Sequence, residues 1–578
     1  MISIPVPDSK TSFASVRRVY LFKASLVILL VAICWFGTLD MRALFSPDEG
    51  RYAEIPRAML ASGDWITPRL NDLKYFEKPP LQYWLTAIAF SLFGQEEWAA
   101  RLAPAALGFV ALLMVLYTGD KLLGPRAGAL AALVLASCWA FYLSSQFLTL
   151  DMTLSAFLAF ALCAFMLAQR HECTEKRKSG WMMFAWVALA MAFLSKGLIA
   201  LVLPTLALAT YSLWTRDFAV WRRLRIAIGS CIFIALVAPW LVAVQLENPE
   251  FFHFFFIREH LDRFALSGHS RPGAWWYYIP VILLGTLPWT PSLIQAAFEK
   301  KSPLRSWAAP AKTFSPAKFC VAWTLSTVVF FSLSQSKLPA YIIPVLPAIA
   351  LLLGSWLRDL LPGKIAVPAW TSLLAGSLLV AVFLNIGRWQ KFASLGEEAI
   401  LALPWLVAAA ASLACAGAAA LALLGTRRRR SALLAIAAGT FAFWQLAFVF
   451  FESVEDHFSA ERIVESINES TPVGADAPIF SLQLLDNSVP YYFGRAVTLV
   501  DIRGELGPGI DAEPHKAIAS MAVFKERWIN STANAFAVMK PGTYASLQAE
   551  ALPMHEFARD KRLIVVSRHR IAAAGIFQ

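Results

Sequence analysis

Two adjacent acids, Asp48 and Glu49, sit in the stretch LFSPDEGRYAEIPRAML at residues 44–60, with Arg51 and Tyr52 one turn later. On a helix that starts at Ser46, Asp48, Arg51, Tyr52 and Ile55 share one face, at i, i+3, i+4 and i+7. Other residues of the same types recur further on. Tyr75, Glu77 and Lys78 lie in YFEKPP, Asp151 in SSQFLTLDMTLS and Lys196 in FLSKGLIA. Arg263 lies in HLDRFALSGHSRPGAWW, and Lys337 and Tyr341 lie in SLSQSKLPAYIIP. Carboxylates interleaved with Lys, Arg and Tyr suit displacement at a sugar carbon that carries a lipid phosphate. Such a leaving group departs as a stabilised anion and needs cations rather than a strong acid. One carboxylate then suffices to orient the attacking oxygen or take its proton.

Each feature also has a plainer reading. Ser46 is a good N-cap, Pro47 suits the first helical position and Glu49 falls at N3, which is the pattern of a capping box. Asp151 fits another helix start, Lys196 a snorkelling cation and Lys337 an ordinary loop cation. Trp275 and Trp276 fit an interfacial anchor. Capping does not require the polar face that Asp48, Arg51 and Tyr52 form. Ser46, Pro47 and Glu49 are therefore expected to cap the helix, and Asp48 to be the working carboxylate. His253, His260 and His269 are weak metal candidates without tight ligand spacing. No cofactor is called for, and metal dependence stays open.

The elements that must hold these residues are membrane helices. The chain has 578 residues, 58% of them hydrophobic and 16% charged, with a mean hydropathy of +0.57. A soluble chain carries about 25% charged residues. Apolar runs of about 18–22 residues recur, the length that crosses a bilayer. Thirteen spans are expected, near 20–38, 102–119, 127–146, 151–169, 181–195, 197–214, 226–246, 276–297, 317–335, 338–356, 367–387, 402–424 and 432–451. The run 81–93, LQYWLTAIAFSLF, is too short and fits a helix lying in the interface.

Lys10, Arg17 and Arg18, with the basic links RHECTEKRK, RDFAVWRRLR, EKKSPLRSW, RDLLPGK and TRRRR, put the N-terminus in the cytoplasm. The net charge of +12 then reports cytoplasmic loops and anionic lipid, not nucleic acid. The first run follows a basic region but lacks a small-residue cleavage site, so it reads as a retained anchor. Seven cysteines show neither a disulfide framework nor a metal motif. The first loop (about 39–101) and the segments carrying Asp151, Lys196, Arg263 and Lys337 all fall on the extracytoplasmic side.

Residues 452–578 differ in kind. They are polar, with the short β-rich runs APIFSL, AVTLVD, AFAVMK and RLIVVSR, and a helix expected over 513–529. That spacing predicts a small extracytoplasmic α/β domain with a partly parallel sheet. No phosphate loop, His cluster or nucleophile elbow is visible in it, so it reads as a cap or an acceptor-contacting module.

PDEGRYAEIPRAMLASGDWITPRLNDLKYFEKPPLQYW, LDRFALSGHSRPGAWWYYIPVILLGTLPW and SKLPAYIIPVLPAIALLL, in that order, resemble the lipid A aminoarabinose transferases. These are membrane-embedded GT-C glycosyltransferases related to the protein O-mannosyltransferases. The resemblance covers residues 44–356 and is weak beyond them. It implies a GT-C fold of about 13 transmembrane helices over 1–451, interfacial helices in the first periplasmic loop, and a periplasmic domain over 452–578. It implies an undecaprenyl phosphate-linked aminoarabinose donor, a lipid A acceptor, the periplasmic face of a bacterial inner membrane, and resistance to polymyxin. Asp48 matches the catalytic carboxylate and Asp151 a second one. Lys78 matches the donor-phosphate lysine, with Tyr75 and Glu77 in its motif and Tyr52 beside Asp48. Arg51, Lys196, Arg263, Lys337 and Tyr341 are further phosphate candidates. The acidic pair is shared with the protein mannosyltransferases, so transfer to a protein hydroxyl or another glycan stays an alternative. A lipid-linked sugar transporter is the remaining one.

Overall fold

The computed structural model describes residues 25–262, 272–299, 314–393, 395–470, 474, 476–531 and 534–570. Arg263 and His269 lie outside the described residues, and so does the side chain of His260. Among the described residues, nine helices are long and apolar enough to cross a membrane. Two bent pairs add to them, Pro125–Ala136 with Trp139–Ser145 at 65° and Tyr278–Gly285 with Thr290–Phe298 at 114°. The apolar helix Ile199–Thr215 and the described helical stretch Ser25–Phe36 occupy the remaining expected positions. Every expected span thus has a helix, but the stretches read as straight at 127–146 and 276–297 are broken. Pro288 lies at the second break, where it has no N–H to continue the helix. The chain is a multi-pass helical membrane protein.

Leu150–Ala168 and Pro339–Leu357 form the centre of the bundle, each with 89% of its apolar window buried. Leu150–Ala168 packs against Glu97–Leu123 and Glu175–Lys196. Pro362–Ile386 lies at the periphery against Glu397–Gly425. These two meet through small residues. A Cβ on Gly376 would stand 2.4 Å from Ala414 N, and one on Gly417 would stand 2.4 Å from Leu373 N. The run LVAAAASLACAGAAA supplies that close approach.

The first loop folds into a helix, Asp48–Ser62, a hairpin and a second helix, Leu81–Phe93. The hairpin pairs β1 (Arg69–Leu70) with β2 (Leu73–Lys74) across Asn71 and Asp72. Both turn residues have positive φ, 53° and 62°, which asparagine and aspartate tolerate and a tight antiparallel hairpin needs. The 13-residue helix Leu81–Phe93 keeps Ile88, Leu92 and Phe93 exposed.

The C-terminal domain carries a six-stranded sheet. Its strands are β3 (Ile479–Leu482), β4 (Thr498–Val500), β5 (Ala517–Ile518), β6 (Phe536–Met539), β7 (His555–Arg559) and β8 (Ile564–Ser567), in the order β5-β4-β3-β6-β8-β7. The first four in that order run parallel, and β8 and β7 complete the edge antiparallel. Phe536, Val538 and Val565 pack under the helix Glu461–Ser470, while Ala537, Met539, Ile564 and Val566 face Phe524, Trp528 and Leu547. Both faces are covered, so the central strands read as unbroken apolar runs. The helix expected over 513–529 is divided. Residues 517–518 are drawn into the sheet as β5, and the helix proper is Met521–Asn530.

Candidate active site

The helix that carries Asp48 begins there, but not through a capping box. Its N-cap is Pro47, and no side chain caps it. Ser46 instead donates its backbone N–H to Phe458 O at 2.7 Å. Glu49 is withdrawn into the interior at 1% exposure. Its Oε1 accepts from Arg101 Nε at 2.7 Å and Leu148 N at 3.0 Å, and its Oε2 accepts from Arg101 Nη2 at 3.0 Å and Phe45 N at 3.1 Å. Arg42 stands 3.5 Å away over the face of Phe147. Arg101 also donates to the carbonyls of Leu39, Arg42 and Ala43. Burial by itself would raise the Glu49 carboxyl, but Arg101 and Arg42 outweigh it and hold the group down at about 2. Burial, then the like charge of Arg101, pushes Arg42 down to about 9. Glu49 thus ties the Asp48 helix to residues 39–45 and to the segment leading into the Asp151 helix.

Asp48 has the opposite environment. Its side chain is 58% exposed and, among the described residues, its ion pair is with Arg51 at 3.6 Å. Arg51 is mostly buried and makes its close ion pair with Glu505 of the C-terminal domain, at 2.7 Å. Its guanidinium lies over the Tyr52 ring, 5.6 Å from the centroid. Tyr52 stacks on Tyr83 with centroids 6.2 Å apart. Burial pushes the Tyr52 phenol up and Arg51 pulls it back, while the charges of Asp48, Asp151 and Glu77 push it up again. The charges of three carboxylates from separate segments therefore all reach one phenol.

Asp151 opens the helix Leu150–Ala168 and accepts a hydrogen bond from Lys196 at the end of Glu175–Lys196. The two form a half-buried ion pair, and the Lys196 ammonium lies over the Tyr341 ring at 5.0 Å. Lys78 donates to the Glu77 carbonyl at 2.9 Å and pairs with Glu259 at 3.3 Å. Tyr75 is buried in the same motif. Lys337 is also buried, and it donates to the carbonyls of Ser332, at 3.1 Å, and Ser334 beyond the helix Pro316–Leu333. Its ammonium thus faces a helix end rather than a carboxylate. His253 is exposed, and no group of three metal-ligating side chains occurs among the described residues.

The structure joins Asp48, Arg51 and Tyr52 directly and Asp151 to Tyr341 through Lys196, and the charges of Asp151 and Glu77 reach Tyr52. Several participants escape sequence reading. Glu505, Glu259, Tyr83 and Arg101 carry no distinguishing signal in the sequence. Glu505 is reached because the C-terminal domain docks on the first loop. Asn71 and Val497 exchange two hydrogen bonds of 2.7 Å, Arg69 pairs with Glu513 at 3.0 Å, and Arg57 donates to Gly494 O at 2.6 Å. A Cβ on Gly50 would stand 2.6 Å from Ser488 N, so this domain sits directly on the Asp48 helix.

Comparison with known proteins fits this arrangement. A family model described as aminoarabinose transferase C-terminal domain matches residues 463–568. One described as dolichyl-phosphate-mannose-protein mannosyltransferase matches residues 20–255. The undecaprenyl phosphate-alpha-4-amino-4-deoxy-L-arabinose arabinosyl transferase of Aeromonas salmonicida is 33% identical over 82% of this chain and 85% of its own length. The protein of the same name from Pseudomonas aeruginosa is 31% identical over 85% and 87%. The crystal structure of ArnT from Cupriavidus metallidurans bound to undecaprenyl phosphate superposes with a TM-score of 0.87 at 33% identity, covering 94% of this chain and 98% of that one. Its apo form gives 0.84 at 34% identity over 96% and 98%.

Proposed function

The chain belongs to the undecaprenyl phosphate-aminoarabinose arabinosyl transferases, GT-C glycosyltransferases of the membrane, and from that premise we propose that it transfers 4-amino-4-deoxy-L-arabinose from undecaprenyl phosphate to a phosphate of lipid A. The proposed place is the periplasmic face of a bacterial inner membrane, with the N-terminus in the cytoplasm. The basic links read from the sequence support that orientation. The observation that carries the reading is the open Asp48 carboxylate beside Arg51, on the helix whose Tyr52 also feels the charges of Asp151 and Glu77.

In this reading the bond between the anomeric carbon and the donor phosphate oxygen breaks. An oxygen of the acceptor phosphate forms the new bond from the opposite face, and the configuration inverts. The leaving group keeps the bonding electrons as undecaprenyl phosphate. Lys78, Lys196 and Arg51 are the cations that stabilise it, with Tyr341 beside Lys196. Arg263 is a further candidate for the same anion. A phosphate acceptor has its second pKa near 6 and is mostly deprotonated at neutral pH, so Asp48 has to orient it rather than act as a strong base. Asp151 holds Lys196 in place. The apolar lipid tail lies along the bundle, which accounts for the membrane setting of the chemistry.

The match to the mannosyltransferase model over residues 20–255 favours a second reading, transfer to a protein hydroxyl, in which Asp48 has to be a true base. Incubation of the purified protein with undecaprenyl phosphate-linked aminoarabinose and lipid A, read by mass spectrometry of the lipid, separates the two. Lipid A gaining one aminopentose, lost in Asp48→Asn, is the expected result. Lipid A unchanged by the wild type overturns the reading. The same assay with and without chelator decides metal dependence.

A further inference from the structure

We propose that Glu77, with Tyr52, Tyr75 and Tyr83 around it, is the subsite that recognises the positively charged amino group of the transferred sugar. The proposal rests on the function proposed above and adds which residues select the substrate.

The other carboxylates of the site have cationic partners. Asp151 pairs with Lys196, Glu505 with Arg51, and Glu259 with Lys78. Asp48 has the looser contact with Arg51. Glu77 is only partly buried, and its carboxylate makes no ion pair or hydrogen bond among the described residues. Its neighbour Lys78 turns away, giving one hydrogen bond to the Glu77 carbonyl and its charge to Glu259. The Glu77 charge nevertheless reaches the phenols of Tyr75, Tyr52 and Tyr83 and the carboxyl of Glu505. It is half-buried two residues after the buried Tyr75, and its carbonyl accepts from Lys78, so the chain itself holds it at the edge of the cluster.

A free carboxylate there is unfavourable for a donor that is only an anion. The donor phosphate brings its own negative charge, and like charges at a few ångströms in a half-buried site repel. The conflict disappears if the sugar carries a cation. An aliphatic amine is largely protonated near neutrality, so an aminosugar phosphodiester is zwitterionic. Its two charges match a site divided the same way, with cations at Lys196 and Lys78 and the surplus acid at Glu77. A charge-assisted hydrogen bond from ammonium to carboxylate is among the stronger ones available.

The tyrosines supply a second, independent observation. Tyr75 and Tyr83 are buried, and their hydroxyls have no hydrogen-bond partner among the described residues. A buried phenol normally finds a partner. These two lie within the field of Glu77 and Arg51, where they offer acceptors to an incoming N–H or O–H. The stacked rings of Tyr52 and Tyr83 add π faces that suit an ammonium.

The test uses the full-length protein and two donors on undecaprenyl phosphate, the aminosugar and the same sugar with hydroxyl in place of the amine. The wild type is expected to prefer the amino donor. Glu77→Gln is expected to reduce the ratio of kcat/KM between amino and hydroxy donors by at least about tenfold, mainly through KM. Glu77→Asp, which keeps the charge, is expected to retain most of the preference. Tyr75→Phe is expected to weaken it by about threefold. Equal losses on both donors in Glu77→Gln, or a wild type without preference, overturn the proposal. A wild type that transfers neither donor to lipid A overturns the functional reading and this inference with it.

Discussion

Asp48 and Glu49 are sequence neighbours that point into opposite surroundings, and their chemistry follows from that. Asp48 is open to solvent with one loose cationic neighbour. Replacing it with asparagine should lower kcat by about 10²–10⁴-fold, the range for loss of a positioned proton acceptor or orienting carboxylate. The unfolding temperature in detergent should not move. Glu49→Gln should do the reverse first. It leaves Arg42 and Arg101 buried without their counter-ion, which costs about 3–5 kcal/mol and is read as a fall in thermal stability. The pH dependence has a definite sign. Glu49 sits at about 2 when folded, against an ordinary value of 4.5. Its contribution to stability is therefore complete above about pH 4.5 and is lost progressively as the pH falls toward 2. Arg42 stays charged throughout that window. The unfolding temperature measured between pH 6 and 3 should fall more steeply in the wild type than in Glu49→Gln.

At the scale of elements, the first loop works as a platform. Its start and turn signals were readable, but their use was not. Ser46 and Glu49 have the spacing of a capping box, yet both are engaged elsewhere, because burying Glu49 between two arginines outcompetes a local cap. The hairpin at Asn71 and Asp72 depends on the tolerance of these residues for positive φ, and Asn71 then serves twice by clasping Val497. Asn71→Ala should loosen the C-terminal domain by about 1–3 kcal/mol for the partners left unsatisfied. Faster hydrogen exchange at residues 497–500 is the expected observation. Gly50→Val should have a larger effect in the same assay, because its side chain would meet the backbone of Asn487 and Ser488.

At the scale of the whole molecule, the C-terminal domain packs directly on the helix that carries Asp48. Glu505 reaches across the interface and holds Arg51, which faces both Asp48 and Tyr52. Arg51→Gln and Glu505→Gln should therefore be non-additive. A double-mutant cycle on kcat/KM should give a coupling of about 0.5–3 kcal/mol, and a value near zero would remove Glu505 from the site. In the proposed reaction, the same docking is what links the C-terminal domain to the site.

The sequence by itself determined the helical membrane class, the run of apolar helices and the partly parallel sheet near the C-terminus. These are consequences of hydropathy, charge bias and short-range periodicity, which act over tens of residues. It also put forward Asp48, through the face it shares with Arg51 and Tyr52, and Asp151, at the start of an apolar run, as candidate carboxylates. The tertiary structure alone decided which charges meet. It broke two spans that had read as straight, turned Glu49 inward, paired Lys78 with Glu259 and brought Glu505 to Arg51. Those outcomes depend on how distant segments pack and on which buried charges must be compensated, and neither leaves a local mark in the chain.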